Sequence, residues 1–363
     1  MKILNNAVIK DKYDCIIVGA GPAGLKAGKI LQNYGHRVCI LEKEEAPGGK
    51  LNIWHELFPH NESAREVLQH ILVDVKPLIR TSVNIKKISR TTDQFTLLDQ
   101  NDNEYKAPAL LIATGFKPFD ARLKEEYGYG IYDNVITSVE LEEMFRSNRI
   151  TTSTGKLPEK IAFIHCVGSR DIKVGSEFCS ANCCITGIKQ AVELKKMFPY
   201  LNVTCLYMDL RLGGRLYEYN YKEAQIDYKV QFIRGRLSET NENPDKTIVL
   251  RYEDTLAGRP AKTTADLVIL LVGMQPDHSI LNLLPDIDEQ IGTDGFFGTG
   301  RIDHSYKNTD DGLFFAGSCT GPKSVTQSTD EAADIASWIN IYLKKKLHTE
   351  TPVYNDRIRI QHS

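Results

Sequence analysis

The amino-acid sequence predicts an α/β protein with two Rossmann-like (two-dinucleotide-binding) domains, the second inserted in the first. A strand, a glycine turn, a helix and a second strand follow one another within residues 13–42. A fresh strand pattern at 159–171 opens a second α/β unit, and the apolar run 313–318 indicates a return to the first. We therefore expect the first domain at 1–118 and 277–363, and the inserted domain at 119–276.

Length and composition agree with this division. A chain of 363 residues can form two domains with their own cores, and 42% hydrophobic residues are normal for a globular protein. The net charge of -2 gives no reason to expect nucleic acid or an anionic membrane as a partner. The apolar run 267–273 is too short to span a membrane, and the N-terminus lacks the pattern of a secretory signal. We expect a cytoplasmic protein, in which free, catalytic or metal-binding thiols are more common than disulfides.

The remaining elements follow in order along the chain. Helices are predicted at 133–145, 185–197, 219–228 and 326–346, where the basic run Lys344–Lys346 is expected to end the last helix. Strands are predicted at 95–99, 105–115, 201–209, 230–235, 247–254 and 265–277. The tail after Lys346 has no clear period and is interpreted as an arm.

The first strand leads into a GxGxxG fingerprint made by Gly19, Gly21 and Gly24. Such glycines permit a tight turn, a close approach of the backbone to a pyrophosphate, and close packing of helix on strand. Glu42 lies 18 residues beyond Gly24 at the end of the next strand, where a carboxylate can accept hydrogen bonds from ribose hydroxyls. The alternative is a purely structural glycine turn.

Four cysteines lie within nineteen residues: Cys166, Cys179, Cys183 and Cys184. Converging thiolates suit a tetrahedral zinc or a cubane iron–sulfur cluster, and the spacing C-x12-C-x3-CC matches neither the zinc-finger nor the ferredoxin pattern. Cys179 and Cys183, four residues apart, are expected on one face of a helical turn. A redox cofactor in the same chain would favour a cluster, since zinc accepts no electrons. Buried thiols or a redox disulfide remain the alternative.

The other cysteines and one histidine are interpreted as structural. Cys15, Cys39 and Cys205 fall in strand patterns and are expected in the core, whereas Cys319 is weighed for a redox role as well. His165 is expected to be a hydrogen-bonded core residue rather than a ligand.

Several further segments resemble the glutathione and thioredoxin reductase superfamily: APGGKL, IATG and LFFAGS. The resemblance implies FAD and covers both ends of the chain. With the fingerprint and the GPKS motif at 321–324, it gives the expected FAD-binding residues: Gly19, Gly21, Pro22, Ala23, Gly24, Glu42, Lys43, Gly49, Lys50, Leu51, Ala113, Thr114, Gly115, Gly317, Ser318 and Lys323.

The sequence departs from this superfamily at three places. Ser318 replaces the acidic residue that usually contacts the ribityl chain. The inserted domain has IHCVGSRD instead of a second glycine fingerprint, so we expect the nicotinamide site to be absent or much altered. The stretch after Gly49 lacks the cysteine pair of dihydrolipoamide-type reductases.

A narrower resemblance joins CVGSRD, CSANCC, YMDLR, FIRGR and GPKS to the flavin core of the heterodisulfide reductase A-type subunits. The resemblance implies a 4Fe-4S cluster on Cys166, Cys179, Cys183 and Cys184. It also implies a catalytic role for Lys189 near the flavin ring, although a solvated helix lysine is the alternative. The chain lacks the ferredoxin motifs of the methanogen members and resembles a short form from sulfur-oxidising prokaryotes.

The resemblance therefore implies an electron-transfer subunit that links two-electron flavin chemistry to one-electron cluster chemistry. Its expected setting is sulfane oxidation by a heterodisulfide-reductase-like complex, with other subunits, a lipoate-bearing carrier protein and NAD as partners, and a homodimer. Two alternatives stay open. One is a free-standing FAD-dependent pyridine nucleotide-disulfide oxidoreductase that uses Cys183 and Cys184 as thiols, and the other is a flavoprotein with a structural zinc.

Overall fold

The structure is a computed structural model that describes residues 10–73, 75, 78–284, 290–298 and 311–350. The end of the predicted arm, 351–363, lies outside the described residues. The α-helices are α1 (Pro22–Asn33), α2 (Ala64–Leu72), α3 (Ser138–Arg146), α4 (Cys183–Met197), α5 (Arg215–Ile226) and α6 (Val325–Glu350). Among the described residues, no helix is both long enough and apolar enough to cross a membrane.

The strands follow the chain order. They are β1 (Lys10–Lys12), β2 (Cys15–Val18), β3 (Val38–Leu41), β4 (Glu56–Leu57), β5 (Glu62–Ser63), β6 (Ile79–Arg80), β7 (Ile85–Arg90), β8 (Phe95–Asp99), β9 (Glu104–Ala107) and β10 (Ala109–Ile112). The others are β11 (Phe116–Pro118), β12 (Val135–Thr137), β13 (Lys160–Val167), β14 (Asn202–Tyr207), β15 (Gln231–Glu242), β16 (Ile248–Asp254), β17 (Arg259–Ala265), β18 (Leu267–Val272), β19 (Met274–Pro276) and β20 (Leu313–Phe315).

The first sheet is parallel, in the order β20–β10–β2–β3–β6. Its central strands are fully buried because both faces of the sheet are covered, which explains their continuous apolar runs. Helices α1 and α6 pack against each other on one face, with Leu31 and Ile339 in the core. Strands from both ends of the chain thus meet in this sheet, and their carboxyl ends lie at one edge.

The second sheet has the order β12–β18–β13–β14–β15–β16–β17. Its first strands are parallel, and β15 to β17 form an antiparallel extension. The antiparallel pair β11–β19 lies where the chain passes between the two sheets. The expected domain boundaries fall at the ends of these two strands, and the division into two domains stays a prediction.

Several predicted elements have different bounds in the structure. Residues 133–145 do not form one helix, because β12 precedes α3 and the Thr137–Glu140 capping box starts the helix at Ser138. Helix α4 starts at Cys183, two residues before its predicted start at 185. Helix α6 continues past Lys346, so the basic run does not end it.

Candidate functional site

A cavity of about 1130 Å³ lies at the carboxyl edge of the first sheet. The β2–α1 turn and the segments after β3 and β10 line one part of it, and α3, α4 and the end of β18 line another. Most of the expected FAD-binding residues line this cavity: Gly19, Gly21, Pro22, Ala23, Glu42, Lys43, Gly49, Lys50, Leu51, Ala113, Thr114, Gly115, Ser318 and Lys323. Ligands of parallel α/β sheets bind at this edge, so the position suits a dinucleotide.

The three fingerprint glycines have different surroundings. A Cβ atom on Gly19 would lie 2.4 Å from the Ala113 carbonyl oxygen, and one on Gly24 would lie 2.0 Å from the Gly19 carbonyl oxygen. A Cβ atom on Gly21 would meet no protein atom within 4 Å. Gly21 also caps α1 without a side-chain hydrogen bond. The N–H groups of a first helical turn have no intrahelical acceptor, and those that follow Pro22 can bind an anion. Gly24 therefore serves packing, whereas Gly21 leaves space for a ligand.

Glu42 is buried at the end of β3, and two backbone N–H groups hold its carboxylate. Ala20 donates to Oε2 at 2.7 Å and Glu44 donates to Oε1 at 3.0 Å. Each carboxylate oxygen can accept more than one hydrogen bond, so the oriented group can still accept from a ligand.

Thr114 lines the cavity and has a buried hydroxyl. Its Oγ1 atom has no hydrogen-bond partner among the described residues. The next residue, Gly115, has a φ of +76°, a conformation that favours glycine. An unsatisfied buried hydroxyl is unfavourable, and a polar ligand in the cavity would satisfy it.

Ser318 also lines the cavity. The acidic residue near it is Glu331, on α6. Glu331 accepts from the backbone N–H of Gly317 at 2.7 Å and lies 3.4 Å from Lys323 Nζ. Gly317 itself is outside the cavity lining, where a Cβ atom would lie 2.6 Å from that of Ala23. Glu331 thus holds the loop that carries Ser318 and Lys323. Sequence patterns did not indicate this contact, because Glu331 lies outside the motif that contains Ser318.

The structure brings three of the four cysteines of the predicted cluster site together. Cys183 and Cys184 occupy the first turn of α4, and Cys166 lies at a bulge in β13 with a φ of +62°. The Cys183 sulfur interacts with those of Cys166 and Cys184, and Cys183 also lines the cavity. A bulge and a left-handed residue turn a side chain toward a site at a cost in backbone strain.

These thiols differ in their ionisation. Interaction with Cys183 lowers the pKa of Cys166 and of Cys184, although burial opposes the shift. The same contacts raise the pKa of Cys183. The thiolate is the form that binds metals, and the N-terminus of α4 favours negative charge at this position.

The predicted helical placement of Cys179 is wrong. Cys179 precedes α4 in a loop, because Ala181 has a left-handed φ of 55° and the helix begins only after Asn182. Hydrogen bonds hold this loop: Met274 N donates to Ser180 Oγ at 2.9 Å, and Arg170 N donates to the Phe178 carbonyl at 2.9 Å. Cys179 is partly exposed.

The described cysteine sulfurs do not form the compact set that a single zinc ion would need. Four thiolates bound to zinc lie roughly 3.8 Å apart, as follows from zinc–sulfur bonds of about 2.3 Å in a tetrahedron. Among the described cysteines, no three sulfurs lie within 4.8 Å of one another. Thiolates are the usual ligands of iron–sulfur clusters, so the donor atoms of these residues fit such a group chemically.

His165 next to Cys166 is buried, as expected. The ring lies near Cys184, where it helps to lower the pKa of that thiol.

The remaining cysteines are core residues. Cys15, Cys39 and Cys205 are buried in β2, β3 and β14, as predicted. Cys319 is also buried, and its thiol donates to the Ile112 and Ala316 carbonyls at 3.3 and 3.2 Å. Burial raises the pKa of Cys319 to about 12, so a redox role is not supported.

Lys189 lines the cavity and is not a solvated helix lysine. Its side chain is 3% exposed, with Nζ 2.8 Å from Glu142 Oε1 and 3.1 Å from Glu193 Oε2. The alternative of a solvated lysine is therefore wrong, because α4 packs against α3 and the Glu142 carboxylate. Sequence analysis missed Glu142, Glu193 and their neighbour His55, and only the i, i+4 spacing of Lys189 and Glu193 was a signal.

Comparisons with known proteins place the chain in a family. Residues 13–334 match the model of the pyridine nucleotide-disulphide oxidoreductase family. The chain is 31% identical to the iron-sulfur A-type subunit of the CoB–CoM heterodisulfide reductase of Methanocaldococcus jannaschii, over 92% of this chain and 65% of that protein. It is 38% identical to the A-type subunit of the H2:CoB–CoM heterodisulfide,ferredoxin reductase of Methanothermobacter marburgensis, over 64% of this chain and 37% of that protein.

Solved structures show the same fold. Thioredoxin reductase of Lactococcus lactis matches with a TM-score of 0.65 and 19% identity, covering 92% of this chain and 99% of that one. Thioredoxin reductase of T. acidophilum matches with a TM-score of 0.63 and 20% identity, covering 93% of this chain and 99% of that one.

These comparisons confirm the predicted α/β flavoprotein fold, the oxidoreductase class and the resemblance to the heterodisulfide reductase A-type subunits. The chain spans less than two thirds of the lengths of these A-type subunits. The chain belongs to the pyridine nucleotide-disulphide oxidoreductase family, whose members are flavin-dependent oxidoreductases, and its sequence is similar to the A-type subunits of heterodisulfide reductases.

Proposed function

We propose that the chain is an electron-transfer subunit with FAD in the cavity and a 4Fe-4S cluster at the four cysteines. The pyrophosphate would lie at Gly21 and the N-terminus of α1, and a ribose at Glu42. Thr114 and Ser318 would offer hydroxyls, and Lys323 a positive charge, to the rest of the cofactor.

The observation that carries the proposal is that Cys183 lines the same cavity as the glycine turn. A thiolate ligand at the cavity wall would bring a bound cluster next to the flavin site. Cys166 and Cys184 lie beside Cys183, and Cys179 would complete the ligand set from its hydrogen-bonded loop. Such a flavin exchanges electrons in pairs, and such a cluster accepts them singly.

The partners follow from the relatives' complexes. The similar proteins are subunits of heterodisulfide reductases, which favours other subunits of a heterodisulfide-reductase-like complex as partners. We extend the proposal to sulfane oxidation in the cytoplasm. A lipoate-bearing protein would carry the sulfur substrate, and NAD would be the terminal electron acceptor. The chain would assemble as a homodimer.

Direct binding of NAD beside β13 is not part of this proposal. A Cβ atom on Gly168, the glycine of the β13–α4 turn, would lie 1.9 Å from the Phe119 ring. That turn is packed against an aromatic side chain and differs from the open turn at Gly21. NAD would therefore exchange electrons through another protein of the complex.

A second candidate is a thiol–disulfide oxidoreductase. The adjacent sulfurs of Cys166 and Cys183, and the lowered pKa of Cys166, favour it. It predicts flavin without iron, and a disulfide that forms reversibly between these two residues.

The decisive experiment measures iron and acid-labile sulfide per FAD on anaerobically purified protein. We expect roughly four iron and four sulfide per flavin in the wild type. The Cys183→Ala variant should lose both and keep FAD, because the glycine turn is unchanged. The matched control, Cys39→Ala, removes a buried thiol that does not line the cavity and should keep the cluster. Flavin without iron in the wild type would contradict the cluster and favour the thiol oxidoreductase.

A further inference from the structure

A line of polar and charged side chains in close contact leads from the protein surface to the cavity. His55 is 40% exposed, and its Nδ1 atom contacts Glu193 Oε1. Glu193 is 7% exposed and lies 3.1 Å from Lys189 Nζ, which lines the cavity. Neither His55 nor Glu193 lines the cavity itself. The line therefore has an end in solvent, a buried middle and an end at the proposed flavin site.

The inner end has a second branch. Glu142 lines the cavity, lies 2.8 Å from Lys189 Nζ and accepts from Gln190 Nε2 at 2.6 Å. Its other oxygen accepts from the backbone N–H of His55 at 2.8 Å. Residues on α3, on α4 and in the segment between β3 and β4 are thus held in one network, at the place where the two sheets face the cavity.

We propose that His55, Glu193 and Lys189 form a proton relay between solvent and the cavity. The proposal rests on the proposed FAD site, because flavin takes up protons as it receives two electrons. A proton that leaves Lys189 toward the cavity is replaced by one from Glu193, which regains it from His55, and His55 regains it from water. When the electrons move on, the same steps run in reverse, so the protein's proton count is unchanged over a cycle.

The side chains around His55 could instead bind a metal ion, but the positive charge of Lys189 argues against a metal site there. His55, Glu56 and Glu193 have ligand atoms within 4.8 Å of one another. The Lys189 ammonium lies 3.1 Å from Glu193 Oε2 and would repel a cation there. Burial also raises the pKa of Glu193, although Lys189 and His55 oppose the shift.

The test follows flavin reduction by dithionite in the FAD-loaded full chain by stopped-flow absorbance. Glu193→Gln keeps the shape of the side chain but cannot pass a proton. His55→Phe removes the group that would exchange protons with solvent. We expect both variants to bind FAD and to be reduced roughly 100-fold more slowly, with a changed solvent deuterium isotope effect. Imidazole added to the solution should restore the rate of His55→Phe and leave that of Glu193→Gln low.

Controls separate the relay from the FAD site. His36→Phe removes a histidine that hydrogen-bonds Asn340 on α6, away from the cavity lining, and should reduce at the wild-type rate with or without imidazole. Wild-type reduction rates in both relay variants would overturn the relay while leaving FAD binding intact. A wild type that binds no FAD would instead contradict the proposed function.

Discussion

At the scale of single residues, Gly21 is the fingerprint glycine that leaves open space beside the backbone. Its φ of −75° is open to any residue, and a Cβ atom there would point into empty space. A larger side chain at Gly21 would therefore leave the fold intact and occupy the volume proposed for the pyrophosphate. Gly19 and Gly24 differ, because Cβ atoms there would collide with backbone atoms.

We expect Gly21→Ala to weaken FAD binding at least about tenfold, the equivalent of about 1.4 kcal/mol. The apoprotein should keep its free energy of unfolding, since no strain is introduced. Fluorescence titration with FAD and urea unfolding measure the two quantities. Gly213→Ala, at another position where a Cβ atom meets nothing within 4 Å, is the control and should bind FAD normally. Unchanged affinity in Gly21→Ala would contradict the proposed placement.

At the scale of elements, the loop between β13 and α4 carries Cys179 and depends on buried polar contacts. Asp171 lies 2.9 Å from Lys124 Nζ and 3.4 Å from Arg236. Burial alone would raise the pKa of Asp171, but the Lys124 ammonium holds it below its usual value. Because the folded pKa is lower than the unfolded one, this stabilisation is present above about pH 4 and is lost as the pH falls through the folded pKa.

We expect Asp171→Asn to reduce hydrogen-exchange protection of residues 168–182 by about 1.5–3 kcal/mol at neutral pH, the range for hydrogen bonds to charged groups. The wild-type loop should lose protection below about pH 4, and the variant should show a smaller change there. Asp120→Asn, which removes an exposed pair with Arg122, should leave the loop unchanged. Equal protection in wild type and Asp171→Asn would show that the ion pair does not hold the loop.

At the scale of the whole molecule, the cavity joins parts of the chain that are far apart in sequence. Its lining includes residues from the first βαβ unit, from α4 and from the start of α6. A ligand that touches all three can bind only when both sheets are folded. Ligand binding and global folding are therefore linked.

We expect FAD at a free concentration of 100 times its Kd to raise the free energy of unfolding by about 2.7 kcal/mol. Urea unfolding monitored by tryptophan fluorescence measures this, because Trp54 lines the cavity. The same FAD concentration should stabilise Gly21→Ala less. Coincident unfolding curves with and without FAD would contradict a cavity that binds it.

Local patterns in the sequence were sufficient for the first βαβ unit, and the family resemblance added further residues that line the cavity. The GxGxxG spacing specifies a turn between strand and helix, and Glu42 follows at the end of the next strand because the unit has a standard length. The burial of Cys15, Cys39 and Cys205 also follows from the apolar runs that contain them. These features depend on contacts between residues that are close along the chain.

Only the tertiary structure decided how distant groups meet. Cys179 lies in a loop because Ala181 is left-handed and Ser180 bonds to β19, a strand more than ninety residues away. Lys189 is buried because α3 brings Glu142 against it, and Glu193 meets His55 from the segment before β4. No spacing in the sequence encodes such pairs, since long-range packing determines which charges face each other and which are left to solvent.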